Sequence, residues 1–295
     1  MIDFNLEGRL DTMERCLRKD LRLIRSSGVY LDNKYFFCSG QIDVQSDFEI
    51  LSCYYAMDNR YCESLGCIYA SSLIMKWLLE TYCQGTKIYP STVGAGCWEK
   101  ILLMLITKDK ELIKSVGTLF AQTAFDVDPK YHTTKGAYYI SQPLSMLLVG
   151  DIDSAKKCLS LKRLKGDAMF RAICNAMDAI VAYDKEALGE VIRKQIRAWK
   201  QYFSRLKSPQ KYVNHFAASL ICLTEYVWEE KVKSDYDETI NQLVCQTEYT
   251  SYPLPPDLFK IPTPSELELF KKEAVQKKKP KSFLTRFLQW LKIKK

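Results

Sequence analysis

A chain of 295 residues, 47% hydrophobic and 26% charged, carries enough apolar side chain for a sizeable core. No apolar run approaches the ~20 residues of a membrane span, and the start, Met1 to Asn5, has no signal-peptide character, so a cytoplasmic protein is expected. The net charge of +8 is local: Lys271–Lys295 holds ten Lys or Arg against one acid, a charge of +9 that leaves −1 for residues 1–270, so a nucleic-acid-binding body is not expected.

Leu6, Leu10, Met13, Leu17, Leu21 and Ile24 step by three and four, which predicts an amphipathic first helix ending at Ser27 and Gly28. Val29 to Phe37 reads either as a small hairpin turning at Asp32 and Asn33 or as an aromatic-rich loop. Ser46 with Glu49 three residues later has the form of a capping box, predicting a helix from there to about Asn59. Leu65, Ile68, Tyr69, Leu73 and Trp77 carry the next helix, stopped by Gly85. The glycine-rich stretch Gly85 to Gly96 lacks the Gly-Lys-Ser/Thr ending of a phosphate loop and follows a helix instead of a strand, so it reads as a connection. Trp98, Ile101, Leu102 and Leu105 begin another helix.

From there a pattern recurs. Around Asp109, Asp151 and Asp184 an apolar helix ends, turns within about two residues, caps on Asp and restarts on an apolar residue. The intervals of 42 and 33 residues suit stacked helical hairpins, though no strict repeat consensus is present. Between the first two turns, Phe125 to Gly136 is a polar loop. Its Asp126, Asp128 and His132 are the chain's nearest approach to a metal or acid–base set, but a third strong ligand is lacking and a solvated turn is the better reading.

The clearest hairpin is Asp167–Leu206. Met169, Ala172, Ile173, Ala176, Met177 and Ile180 form one stripe; Leu188, Val191, Ile192, Ile196, Trp199, Tyr202 and Phe203 form the other. Both stripes are wide, which requires further helical layers on either side. Ser208 and Pro209 then offer an N-cap and first-turn proline to a helix bearing Val213, Phe216, Ala217, Leu220, Ile221, Thr224, Val227 and Trp228. His215 beside this stripe reads as a structural histidine. Asp235 is expected to cap a short helix reaching Cys245, and Tyr252 to Phe259 to close the fold as an extended strap.

Eleven cysteines include no Cys-x-x-Cys pair, and only two histidines are available, so no metal site or disulfide framework is expected and reduced core thiols are. The fold expected is all-α, stacked antiparallel helical hairpins, with residues 1–262 as the body and 263–295 as a separable basic tail. In the tail, Ser282 caps a short helix whose Phe283, Phe287, Leu288, Trp290 and Leu291 share a face, and Lys277, Lys278 and Lys279 precede it. These eight residues are the expected contact to a partner or an anionic membrane surface. No catalytic, cofactor or metal residue is assigned.

The order of elements from Trp98 to Phe259 resembles the all-helical immunity protein family numbered 49 of bacterial polymorphic toxin systems. The resemblance rests on the Ala168 to Leu188 hairpin, an Arg/Lys-rich helix with Trp199, an Ala-rich helix and an acidic Tyr/Pro/Leu ending from Glu248 to Leu258. The cysteine-rich first third and the basic tail depart from that pattern. The resemblance implies a non-catalytic cytoplasmic protein that binds and neutralises one cognate toxin. The alternative is a helical scaffold recruited by its tail to the inner membrane face.

Overall fold

The computed structural model describes residues 6–26, 34–86, 88, 90–125, 134–160, 168–204, 209–232, 236–252, 254 and 258–259. Among them there are helices and turns and no strand, as the periodicity predicts. The loop bearing Asp126, Asp128 and His132, and the whole tail with Lys277 to Lys279 and Phe283 to Leu291, lie outside the described residues, as do Ser208 and Asp235.

The first layer is an antiparallel trio: α1 (Leu6–Ser26), α2 (Lys34–Met57) and α3 (Tyr61–Cys83). The α1 stripe reaches the core through Leu10 and Leu17, and Glu14 accepts a 2.6 Å hydrogen bond from Tyr55 Oη of α2. Two expectations fail in α2. Residues 34–37 are helical, so no hairpin forms there. Ser46 is interior to the helix and donates back to the Ile42 carbonyl at 3.0 Å instead of capping. The reason is burial: Cys38, Gln41, Val44 and Gln45 already face the core a turn or two before Ser46, and helix packing overrides a local cap signal.

The connection after Gly85 is a short α4 (Pro90–Val93) and a 3-10 turn at Ala95–Cys97, leading into α5 (Trp98–Met104). α6 (Lys110–Thr123), α7 (Thr134–Leu148) and α8 (Ile152–Ser160) follow, then the hairpin α9 (Ala168–Ala182) and α10 (Lys185–Phe203). The three repeated turns are helix caps. Asp109, Asp151 and Asp184 each accept a 2.9 Å bond from the backbone N–H three residues on. The residue before each Asp is left-handed: Lys108 (φ 53°), Gly150 (φ 79°) and Tyr183 (φ 56°). Glycine meets that requirement without strain; the lysine and tyrosine are held there by other contacts. Lys108 pairs with Glu225 at 3.0 Å and donates to the Val244 carbonyl. Tyr183 packs on Trp228, with ring centroids 4.6 Å apart.

Pro143 sits inside α7 and cannot donate to the Tyr139 carbonyl one turn back. The thiol of Cys174 on α9 takes up that acceptor at 3.8 Å.

The central elements are α3 and α11 (His215–Trp228), not the hairpin with the clearest stripes. Eight consecutive residues of α11, Ala217–Thr224, are buried, so that helix has no solvent side over two turns. Asn214, not Ser208, caps it, and Pro209 opens a separate 3-10 turn, Pro209–Lys211. All six stripe residues of α9 are buried, whereas Tyr202 on α10 stands 48% exposed. The α9/α10 hairpin is therefore an outer layer. Asp237 caps α12 (Glu238–Cys245), two residues beyond the expected Asp235.

Of the expected strap Tyr252 to Phe259, Tyr252, Leu254, Leu258 and Phe259 are among the described residues, Leu258 and Phe259 in a turn. Thr250 N–H donates to the Cys62 carbonyl, Tyr249 stacks on Tyr69 and Tyr252 meets Phe48 edge-on at 4.9 Å. Farther along, Gln41 donates to the Leu258 carbonyl at 2.8 Å. All eleven cysteines are free thiols, six of them buried. No described helix is long and apolar enough to cross a membrane.

Candidate functional site

Helices α2, α5, α10 and α11 converge on a cavity of about 70 Å³. α2 supplies Glu49, α5 supplies Glu99 and Leu103, α10 supplies Trp199 and Phe203 from its inner face, and α11 supplies His215, Phe216 and Ser219; Cys53 and Lys100 stand behind this lining.

The start of α11 is fixed by a buried amide pair. Asn214 accepts from Ala217 N–H at 3.2 Å and donates to Gln195 Oε1 at 3.0 Å, which locks α11 to α10. That places His215, the first helical residue, against α2, with Nδ1 3.7 Å from Cys53 Sγ. The Cys53 thiol in turn donates to the Glu49 carbonyl at 3.4 Å. The thiol's hydrogen being committed there, Nδ1–H points at sulfur and Nε2 presents a lone pair. Nε2 and the Ser219 Oγ are both buried without a hydrogen-bond partner.

Burial sets the protonation states. It drives His215 down to about 4 and Cys53 up to about 12, so the pair is a neutral imidazole beside a neutral thiol. That is not an activated nucleophile. Glu49 accepts hydrogen bonds from Lys100 Nζ at 2.7 Å and Ser71 Oγ at 3.1 Å. Glu99 keeps an exposed edge at the mouth, yet the protein mass around its carboxyl group, and then Glu49, raise its pKa while Lys100 lowers it. An aromatic band backs the cavity: Trp199 to Phe203 at 5.9 Å, Phe203 to Phe216 at 6.4 Å, Phe216 to Trp98 at 5.7 Å. Among the described residues no group of three or more His, Cys, Asp or Glu is arranged to hold a metal ion.

The opposite face of α10 is a different surface. Arg193, Lys194, Arg197 and Lys200 are exposed on α10, Lys194 paired with Glu190 at 3.4 Å, and the exposed Tyr202 and Tyr212 lie at the C-terminal end of α10 and just after the Pro209–Lys211 turn. One helix thus lines a cavity with its inner aromatics and presents basic side chains outward.

Sequence reasoning singled out His215 but expected a purely structural role. It missed Glu49, taken as part of a capping box, and Glu99 and Ser219 altogether, because four helices must pack before these residues meet. The Asp126, Asp128 and His132 set and the eight tail residues fall outside the described residues and are not placed relative to this site.

Fold and site together define an all-α stack of helical hairpins with a small polar cavity under one outer helix. No protein-family model, curated protein or solved structure matches this chain.

Proposed function

We propose that this protein is a non-catalytic binding scaffold, and specifically an immunity protein that neutralises one cognate bacterial toxin by docking on it. The observation that carries the reading is the outer face of α10. Arginine is a side chain that protein interfaces concentrate, and here Arg193 and Arg197 are exposed about 40° apart on the outward face of α10, with exposed Tyr202 and Tyr212 at and just beyond its C-terminal end. Such a face suits an acidic partner surface, with the charges speeding encounter and the tyrosines supplying contact area. The layout resemblance from Trp98 to Phe259 supports the same reading.

Co-expression with the toxin encoded beside this gene should restore growth, and the two proteins should co-purify. The double substitution Arg193→Glu with Arg197→Glu should weaken binding at least tenfold, mainly through slower association, while leaving the melting temperature unchanged. If neither rescue nor binding occurs with any neighbouring toxin, the immunity reading falls.

A second reading rests on the segregation of +9 into residues 271–295. In it the helical body holds a protein partner while the tail recruits it to an anionic membrane surface, through Lys277, Lys278, Lys279 and the Phe283 to Leu291 face. Salt-sensitive binding of the full chain to anionic vesicles, without any toxin partner, would favour it.

A further inference from the structure

We propose that the cavity between α2, α5, α10 and α11 is a binding site for a small primary ammonium ion, an alkylammonium of roughly five non-hydrogen atoms given one atom-sized sphere per ~10–15 Å³. This goes beyond the docking surface on the other side of α10 and does not depend on it.

The cavity asks for hydrogen-bond donors. Ser219 is 0% exposed, lines the cavity and leaves its Oγ unpaired; His215 lines it too and leaves its buried Nε2 unpaired. A buried polar atom without a partner is costly, and that cost is relieved by a ligand able to pair with it. With the thiol hydrogen bonded to the Glu49 carbonyl, the Nδ1–H tautomer of His215 pairs with sulfur, and in that tautomer Nε2 is an acceptor. Ser219 Oγ accepts as well, and the Glu99 carboxyl group at the mouth is a third acceptor. An ammonium group carries three N–H donors and no acceptor, which matches three acceptors.

The charges and rings select against the alternatives. Among the described residues the lining holds two carboxyl groups and no lysine or arginine, and Lys100 outside it is already bonded to Glu49 at 2.7 Å, so an anion would meet no counter-charge. Two carboxyl groups and the faces of Trp199, Phe203 and Phe216 favour a positive guest, since aromatic faces attract cations. A hydrocarbon would leave Ser219 and His215 unpaired, and an alcohol offers a single donor. Burial and Glu49 work against charge on Glu99, and a bound ammonium would reverse that by supplying the missing counter-charge.

The experiment is calorimetric titration of the full chain with n-butylammonium, beside n-butanol and butyrate as neutral and anionic matches of similar size. Saturable binding of n-butylammonium is expected, at least tenfold tighter than n-butanol, with no binding of butyrate. Glu99→Gln should weaken n-butylammonium binding about tenfold, or ~1.4 kcal/mol, by removing the counter-charge at the mouth. Because Glu99 keeps an exposed edge, that variant should fold with an unchanged melting temperature. Ser219→Ala, tested in parallel, should also weaken the amine more than the alcohol. Absence of n-butylammonium binding, equal binding of butanol, or an unchanged affinity in Glu99→Gln would each overturn the proposal.

Discussion

At Asp109 one carboxylate oxygen ends one helix's neighbourhood and starts the next, by accepting the Leu112 N–H at 2.9 Å. Asp109→Ala should therefore cost about 1 kcal/mol in chemical denaturation, whereas Asp109→Asn, which caps nearly as well, should cost little. His215 and Asp47 give a pH signature of opposite signs. His215 falls to about 4 in the folded protein through burial, against ~6.5 when unfolded. Between these values the unfolded chain binds the extra proton, so this residue makes stability drop as pH falls from 6.5 to 4, by on the order of 3 kcal/mol. Asp47 is pushed up to about 7 by burial, then by its hydrogen bond to Asp20 and the nearby charges of Asp20 and Asp43. In the same window it is the unfolded carboxyl that ionises first, so Asp47 makes stability drop as pH rises. The two slopes offset in the native protein. Melting temperature measured from pH 4 to 7 should rise with pH in Asp47→Asn and fall with pH in His215→Gln; parallel profiles for the two variants would contradict the assignments. The Asp caps were legible in the sequence because capping is local chemistry. His215's neighbours were not, since Cys53 lies 162 residues away and only packing brings them together.

Among the elements, helices that bury one face and helices that bury nearly every face were both legible as helices, but not which of them sit at the centre. The α9 stripe matches its buried residues position by position. By contrast α11 buries Ala217–Thr224 on every side, so its periodicity does not mark it as central, and the hairpin with the clearest stripes is the outer one. The α2 boundary was misplaced by twelve residues for a related reason: an attractive cap sequence, Ser46 to Glu49, lies within a longer buried helix. The approach of the segment around Tyr249 and Thr250 to the face of α3 was not legible in the sequence. That approach depends on Gly66, where a Cβ would stand 2.0 Å from the Thr250 carbonyl oxygen. Backbone cannot yield as a side-chain tip can, so Gly66→Ala should lift the strap and break the Thr250 to Cys62 hydrogen bond. A loss of several kcal/mol is expected, from overpacking at about 1–3 kcal/mol plus the Tyr252 and Tyr249 ring contacts at about 0.5–1.5 kcal/mol each. Hydrogen exchange should show the Thr250 amide losing protection first.

On the scale of the whole molecule, the strap also marks where the stabilising contacts of the body reach in the chain. Gln41, 0% exposed, gives its amide hydrogen to the Leu258 carbonyl, and Phe259 lies against Trp77 with centroids 6.1 Å apart. A chain ending at Pro262 keeps all of these contacts while shedding residues 263–295, which include the +9 of Lys271–Lys295. A chain ending at Cys245 loses them and leaves the buried Gln41 amide unpaired, at about 1–3 kcal/mol for that group alone. The melting temperature of 1–262 should therefore stay close to that of the full chain, and that of 1–245 should fall sharply or the protein should aggregate. The same pair of truncations tests what the charge is for. If residues 263–295 recruit the body to an anionic surface, the full chain should bind anionic vesicles with an affinity that falls steeply with salt, since each basic residue contributes only about 1 kcal/mol and is screened. The 1–262 chain should then remain folded and ignore vesicles while still rescuing growth from the cognate toxin, because the α10 face is intact in it. A 1–262 chain that loses stability would place residues 263–295 in the body's own packing and end the tail's role as a separable recruiter.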